Sequence, residues 1–170
     1  MAPEIERKYL VNREKFLMFL QHYKAIKKYL IWQTYLQNSA VRVRIIDNVA
    51  VLGVKQRDGS EKALISNEIE VKISIEDAHA ISEVFSRKTT PIRKTRHEIE
   101  YQGKLWMIDI FHNENDGLTM AEIELSESNE CYSLPPFVEQ EVTNDKRYQN
   151  SYLAITPYNL LNKPEGYPNR

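Results

Sequence analysis

The feature that most restricts this chain is a period-2 alternation whose polar positions are charged and grouped by sign. Glu4-Ile5-Glu6-Arg7-Lys8-Tyr9, Val41-Arg42-Val43-Arg44-Ile45, Glu68-Ile69-Glu70-Val71-Lys72-Ile73 and Glu122-Ile123-Glu124-Leu125 all read this way. Residues two apart on a strand share a face, so each pair is a two-pronged unit of one sign. Glu-x-Glu occurs five times, at Glu4/Glu6, Glu68/Glu70, Glu98/Glu100, Glu122/Glu124 and Glu139/Glu141. Random placement of the glutamates gives roughly two such pairs, so the excess is a pattern. Arg42/Arg44 and Lys94/Arg96 repeat the spacing with basic residues. Any one of these strands fits a sheet with a solvated face. Taken together, single-sign blocks fit charged faces that converge on a shared interior, because like charges side by side repel and need partners of the other sign.

Further strands are expected at Val49–Gln56, Pro91–Tyr101, Leu105–Phe111 and Val138–Thr143, with turns at Arg57-Asp58-Gly59, Gln102-Gly103 and Asn115-Asp116-Gly117. Three segments have helical spacing instead. Asn12 caps one carrying Phe16, Phe19, Leu20 and Tyr23, and Ser74 caps another carrying Ala78, Ile81 and Phe85. A third begins at Asp145, carries Tyr148, Tyr152 and Leu153, and stops before Pro157, while Leu134-Pro135-Pro136 reads as a rigid connector. The fold class is α+β, mostly β, with about eight short strands in an antiparallel sheet or barrel. No repeat or linker divides the chain, so residues 1–170 read as a single domain.

A formal net charge of −1 argues against a protein that coats duplex nucleic acid or anionic membrane, and no stable nucleic-acid partner is expected. No apolar run approaches the ~20 residues that span a bilayer, and the opening MAPEIERKYL lacks the basic start and apolar stretch of a signal peptide. The single cysteine, Cys131, excludes an internal disulfide and a cysteine zinc site. A cytoplasmic protein without a membrane partner is the expectation.

An interior of clustered carboxylates without His or Cys suits hard divalent cations such as Mg²⁺ or Mn²⁺. Lys and Arg facing them suit a polyanion, and arginine forks match phosphate oxygens. Metal and cations on one phosphoryl group are the equipment of phosphoryl transfer or hydrolysis. The chain has no Gly-x-x-x-x-Gly-Lys-Ser/Thr and no Gly-x-Ser-x-Gly, and His22, His79, His97 and His112 fall at no metal-ligand spacing. Each histidine is therefore read as a surface or core residue.

The opening Glu4-Ile5-Glu6-Arg7-Lys8 resembles the ExExK signature of the CYTH superfamily, the triphosphate tunnel metalloenzymes. Further matches follow in order: Gln33-Thr34-Tyr35-Leu36, Val41–Arg44, Val54-Lys55, Glu68-Ile69-Glu70, Lys94-Thr95-Arg96, Ile108–Phe111, Ala121–Leu125 and Glu141–Tyr148. The resemblance covers roughly residues 4 to 158 and is nearest to the short bacterial members that hydrolyse inorganic tripolyphosphate. It implies an eight-stranded antiparallel closed barrel, open at both ends, binding a linear triphosphate inside.

By this likeness Glu4, Glu6, Glu122 and Glu124 would hold one or two metal ions, with Asp109 as a further ligand to metal or water. Lys8, Arg42, Arg44, Lys55, Lys94 and Arg96 would hold phosphates, and Arg147 would close one tunnel mouth. Tyr35 would either assist proton transfer or pack the barrel. Glu68 and Glu70 would line the tunnel without fixed metal contact, and Glu98, Glu100 and Glu139 read as solvent-exposed. Ser66 stands where many members carry arginine, so either Arg57 or Lys62 substitutes or one phosphate is held less tightly. His97 stands where a tyrosine is common.

The implied activity is metal-dependent hydrolysis of tripolyphosphate or a related triphosphate, with Glu4, Glu6 and Tyr35 at the chemistry and a homodimer as an open possibility. Alternatives within the family are a small-barrel adenylyl cyclase and a thiamine triphosphatase, the latter needing an aromatic platform such as Trp32 or Trp106. A non-catalytic polyphosphate or nucleotide sensor is the alternative of another class. In the empty protein the acidic quartet is expected to crowd one side of the interior and the bases the other.

Overall fold

The structure, a computed structural model, describes residues 4–36, 39–59, 64–86 and 88–161. The strands are β1 (Glu4–Val11), β2 (Lys27–Tyr35), β3 (Val41–Ile46), β4 (Val49–Gly59), β5 (Leu64–Ile73), β6 (Ile92–Tyr101), β7 (Lys104–Phe111), β8 (Thr119–Leu125) and β9 (Val138–Glu141). All pair antiparallel, in the order β5-β4-β3-β2-β6-β7-β8-β1-β9. A further β1–β5 pairing, with Glu4 opposite Ser66 and Glu6 opposite Leu64, closes eight strands into a barrel. Closure abolishes the sheet edges that would otherwise expose unpaired backbone. The same edge of β1 serves twice: its first half pairs with β5, and its second half, after a register shift between Tyr9 and Val11, pairs with β9.

Tight turns set the registers. Tyr101 opposes Lys104, and between them Gln102 (φ 51°) and Gly103 (φ 75°) take the left-handed conformations that match strand twist. The expected turn at Arg57–Gly59 is instead the end of β4, where Gly59 still pairs with Leu64, so the chain reverses later, outside the described residues. Gly117 (φ 92°) lies in the expected turn after a 3₁₀ turn at Asn113–Asn115.

The first two helices form where their caps place them. Asn12 accepts from the Lys15 amide at the start of α1 (Arg13–His22), and Ser74 accepts from the Asp77 amide at the start of α2 (Ile75–Phe85). The expected third helix is broken. Asp145 caps only a 3₁₀ turn, Lys146–Tyr148, and Gln149 is extended (φ −79°, ψ 135°) before two short helices, α3 (Asn150–Leu153) and α4 (Tyr158–Leu161). Among the described residues no helix is long and apolar enough to cross a membrane.

Because the charged positions of most strands turn inward, their apolar partners turn outward, and the hydrophobic core lies against the outside of the barrel wall. Tyr9, Ile99, Trp106, Ile108, Ala121 and Ile123 point out and are covered by Phe16 of α1 and Phe137 of the connector before β9. The Phe16 ring meets Phe137 at 5.0 Å and His97 at 5.4 Å, both edge-on. Ala78 of α2 covers Val43 and Ala50 in the same way. Where β2 ends and β6 begins the interior itself turns apolar: Tyr35, Ile92, Phe111 and Met120 pack with Leu153 and Ala154. The last helical segment thus fills part of that end, which the resemblance had implied to be open.

Phe16 is fully buried, whereas Met18 on the opposite face of α1 is 63% exposed. Urea denaturation is expected to show a loss of about 3–5 kcal/mol for Phe16→Ala and under about 0.5 kcal/mol for Met18→Ala; a small loss at Phe16 would mean α1 does not seal this wall.

Candidate active site

Register determines which charges meet inside. On β1 and β8, Lys8 opposes Glu122 and Glu6 opposes Glu124; on β6 and β7, Arg96 opposes Asp109. Arg42 opposes Gly53, which opposes Glu70, and Lys55 opposes Glu68. All of these share the inward face. All but Gly53 and Asp109 border a cavity of about 320 Å³, which is lined by Glu4, Glu6, Lys8, Arg42, Arg44, Lys55, Glu68, Glu70, Arg96, Glu122, Glu124 and Asn150. Nine of the thirteen residues singled out from the sequence are in that lining.

The other four are elsewhere. Lys94 and Asp109 are each 1% exposed and lie inside the barrel without bordering the cavity, where Asp109 accepts from Lys94 Nζ at 2.5 Å and from Arg96 Nε and Nη2 at 2.6 Å each. Tyr35 borders an adjoining recess of about 280 Å³, together with Arg42, Lys55, Gln149 and Ser151, and its hydroxyl accepts from Gln33 Nε2 at 3.2 Å. Arg147 points away from the interior: its side chain is 61% exposed and is held by Asp145 at 2.6 Å. The extended break at Gln149 puts Asn150, not Arg147, over the cavity.

The acidic and basic residues interdigitate and do not crowd opposite sides. Lys8 contacts Glu122 and lies 3.4 Å from Glu6. Lys55 bridges Glu4 at 3.0 Å, Glu6 at 3.5 Å and Glu68 at 3.6 Å. Arg42 contacts Glu68 and lies 3.1 Å from Glu70, and Arg96 joins Asp109 to Glu122, each at 2.6 Å. A buried charge without a partner costs several kcal/mol, so folding the empty barrel requires this mutual neutralisation.

The proton affinities follow the local balance. Burial alone would raise Glu122, but Lys8, Arg96 and Lys94 hold it well below the usual carboxylate range. Burial also works against Asp109, and Arg96 and Lys94 prevail and keep it low. Glu124 goes the other way: burial raises it, and the neighbouring Glu4, Glu6 and Glu122 carboxylates raise it further. Burial pushes the Lys94 ammonium down to about 8, since Asp109 must serve both Lys94 and Arg96.

At Glu124 the fields of three neighbouring carboxylates add and outweigh that of Lys55, and hard oxygen donors in such a field suit a divalent cation. Yet among the described residues no three His, Cys, Asp or Glu side chains are gathered in a way that could hold an ion. Lys8, Lys55 and Arg96 stand between Glu6, Glu4 and Glu122, so a cation would have to take over carboxylate oxygens that ammonium and guanidinium groups now hold.

Several sequence readings are revised here. Glu100 and Glu139 are exposed, but Glu98 is only 14% exposed at its side chain and accepts from Tyr29 Oη at 2.7 Å. Trp106 is fully buried in the outer core and Trp32 faces outward onto His79 at 5.9 Å, so neither offers a platform inside the barrel. Lys62 lies outside the described residues, and for Arg57 only the backbone, paired with Ser66, is described. Two site residues escaped the sequence reading. Gln33, fully buried, accepts from Arg44 Nε at 3.2 Å while donating to Tyr35, and its signal was its place two residues before Tyr35. Asn150 carried no signal, because its position depends on the break at Gln149.

The profile of the CYTH domain matches residues 2–152. An inorganic triphosphatase of Acetivibrio thermocellus is 34% identical over 162 residues, which is 93% of this chain and 97% of that protein. An inorganic triphosphatase of Nitrosomonas europaea is 31% identical over 100 residues, or 57% of this chain and 65% of that one. Among solved structures, an inorganic triphosphatase superposes with a TM-score of 0.61 at 24% identity, over 91% of this chain and 96% of its own. A Hippeastrum protein with a dominant triphosphatase activity gives 0.55 at 16% identity, over 73% and 80%. These structural likenesses carry the fold. With the domain profile matching residues 2–152 and a relative 34% identical over 93% of this chain, the chain belongs to the CYTH family.

Proposed function

We propose that the chain is a triphosphatase that hydrolyses inorganic tripolyphosphate or a related triphosphate inside the barrel. The observation that carries this is the cavity itself, in which Lys8, Arg42, Arg44, Lys55 and Arg96 face a single enclosed space. Five cations around one linear polyanion can each take a charge-assisted hydrogen bond, the arginines two at a time. The kinship with inorganic triphosphatases supports the same substrate, and the near-neutral overall charge supports a small-molecule partner over nucleic acid.

In the reaction water adds to the terminal phosphorus, the anhydride P–O bond breaks, and the pyrophosphate leaves with the bond's electron pair. One proton of the water stays on orthophosphate and the other is released. Arg42, Arg44, Lys55, Lys8 and Arg96 neutralise the phosphate oxygens, including the bridging oxygen of the leaving pyrophosphate on which charge develops as the bond breaks. Glu4, Glu6, Glu122 and Glu124 would hold Mg²⁺ or Mn²⁺, which when bound polarises the phosphoryl oxygen and lowers the pKa of a bound water. Asp109, saturated by three donor contacts, is a positioning residue for Arg96 and not a ligand. Tyr35 acts through Gln33, whose carbonyl oxygen orients Arg44.

Phosphate release from tripolyphosphate, with Mg²⁺ or Mn²⁺ and with chelator, is the test, run beside ATP and thiamine triphosphate. Glu6→Gln or Glu122→Gln is expected to lower kcat by about a hundredfold or more, read on protein checked to be folded, and Glu122→Gln also to lose stability because Lys8 and Arg96 share its charge; near-normal turnover in either would overturn the carboxylate assignment. Arg42→Ala removes a charge-assisted contact of about 1.5–3 kcal/mol, so KM is expected to rise roughly 10- to 150-fold. An unchanged KM would place Arg42 off the substrate.

Lys94 gives a pH dependence. Its ordinary value of 10.5 falls to about 8 in the folded chain, so between these values the unfolded chain binds more protons. Stability contributed here therefore rises with pH over that window, and is flat below about 8, where both states are protonated. Denaturation at pH 7.5 and 9.5 is expected to show wild-type gaining on Lys94→Met. Wild-type stability that stays level or falls relative to Lys94→Met as pH rises would contradict the lowered ammonium.

A further inference from the structure

Strand β4 carries a glycine, Gly53, where its two neighbours carry Arg42 and Glu70 in register, all facing inward. A Cβ at Gly53 would already stand in contact, 3.4 Å from Arg42 Nε and 3.5 Å from Glu70 Cγ, so a side chain that extends beyond Cβ would push between them. The absent side chain lets Arg42 reach over an intervening strand. Its Nη2 contacts Glu68 and lies 3.1 Å from Glu70 Oε1, and Arg44 Nη1 lies 3.6 Å from the same oxygen. Lys55, next along β4, lies 3.6 Å from Glu68. Arg42 and Arg44, both proposed above for phosphate, are thus engaged by two carboxylates that lie on β5, apart from the quartet on β1 and β8, and Lys55 is shared between Glu68 and the nearer Glu4 and Glu6. Glu68 and Glu70 supply the oxygens that a phosphate would supply.

Resting on the triphosphatase reading, we propose that Glu68 and Glu70 are displaceable counter-ions of Arg42, Arg44 and Lys55 that make the cavity select the metal-complexed triphosphate over the bare polyanion. In the empty barrel they keep the three cations paired, where leaving them unpaired would be costly. A phosphate that takes Arg42 and Arg44 strands two carboxylates beside its own negative oxygens, and in an enclosed space that repulsion is weakly screened. A triphosphate that brings a divalent cation offsets the stranded charge; a bare one does not. Selection of this kind works by penalising the wrong ligand, with no new contact to the right one. The small residue at Gly53 leaves the path open, because a side chain longer than a single methyl would part Arg42 from Glu70.

The test separates this from the activity itself. Calorimetric binding of tripolyphosphate in chelator is compared with KM in Mg²⁺ for wild-type, Glu70→Gln and Glu68→Gln, both isosteric changes. Loss of one counter-ion is expected to tighten metal-free binding about tenfold, with KM in Mg²⁺ falling less than about threefold or rising. In thermal melts each variant is expected to start lower than wild-type and to gain more from metal-free tripolyphosphate, so that a variant too unstable for kinetics still reports. Unchanged or weaker metal-free binding in both variants overturns the proposal, and equal tightening of both forms overturns the selection. A wild-type protein that neither binds nor hydrolyses tripolyphosphate overturns the functional reading instead.

Discussion

Mutual neutralisation of buried charge is the condition on which the rest of this barrel depends. Lys8, Glu122, Arg96, Asp109 and Lys94 form one continuous chain of contacts across β1, β8, β6 and β7. Removing one member leaves its partner charged and unpaired in a place water reaches poorly, and such a charge costs more than the pair contributed. The antiparallel registers are therefore tied to the chemistry. A one-residue slip of β8 against β1 would carry Glu122 and Glu124 to the outer wall and bring Ala121 and Ile123 inside. It would break the charge chain and the apolar core together.

That core has an unusual position as a consequence. A barrel whose interior is charged must bury its apolar residues on the outside, and it can do so only where something covers them. Helix α1 and the connector before β9 cover β1, β6, β7 and β8, and α2 covers β3 and β4. On the outer face of β4 and β5, Val54, Ile69 and Val71 stay 43–58% exposed. The best-covered wall is the one that carries Arg96, Asp109 and Glu122. The densest packing therefore lies behind the side chains whose placement matters most to the proposed chemistry.

Alternation in the sequence discloses faces but not encounters, and this divides what was legible from what was not. Glu4, Glu6, Arg42, Arg44 and Glu122 were placed inside because period 2 and grouped sign are local properties. β2 was not read as a strand, since Lys27-Lys28-Tyr29-Leu30-Ile31-Trp32 does not alternate: its outer positions include Lys28 and Leu30, and its inner ones Tyr29 and Ile31. That Arg42 would meet Glu70 across Gly53, or that Asp109 would be saturated by Arg96 and Lys94, depends on register between strands far apart in sequence. The path after Asp145 was illegible for a related reason. Tyr148, Tyr152 and Leu153 have helical spacing, but Leu153 packs onto Phe111 and Ile92 only if the chain straightens at Gln149. Tertiary packing overrode the local pattern, and Arg147 was left outside.

A last point concerns why so many buried ion pairs are present in a barrel of this size. Well-packed apolar residues in place of a buried pair are commonly neutral or stabilising by about 1–4 kcal/mol, and Ile92, Phe111 and Met120 demonstrate that this interior can be packed that way at one end. Had stability alone shaped the barrel, the apolar filling would be expected to continue past Phe111 to its strand neighbour Asp109. It stops there, and from that point the interior is carboxylate, ammonium and guanidinium around an open space of about 320 Å³. The open space is what an apolar filling would remove. Both the charges and the void are therefore costs to the fold, borne together at one place, which is where strain and polarity concentrate when a site must bind and react.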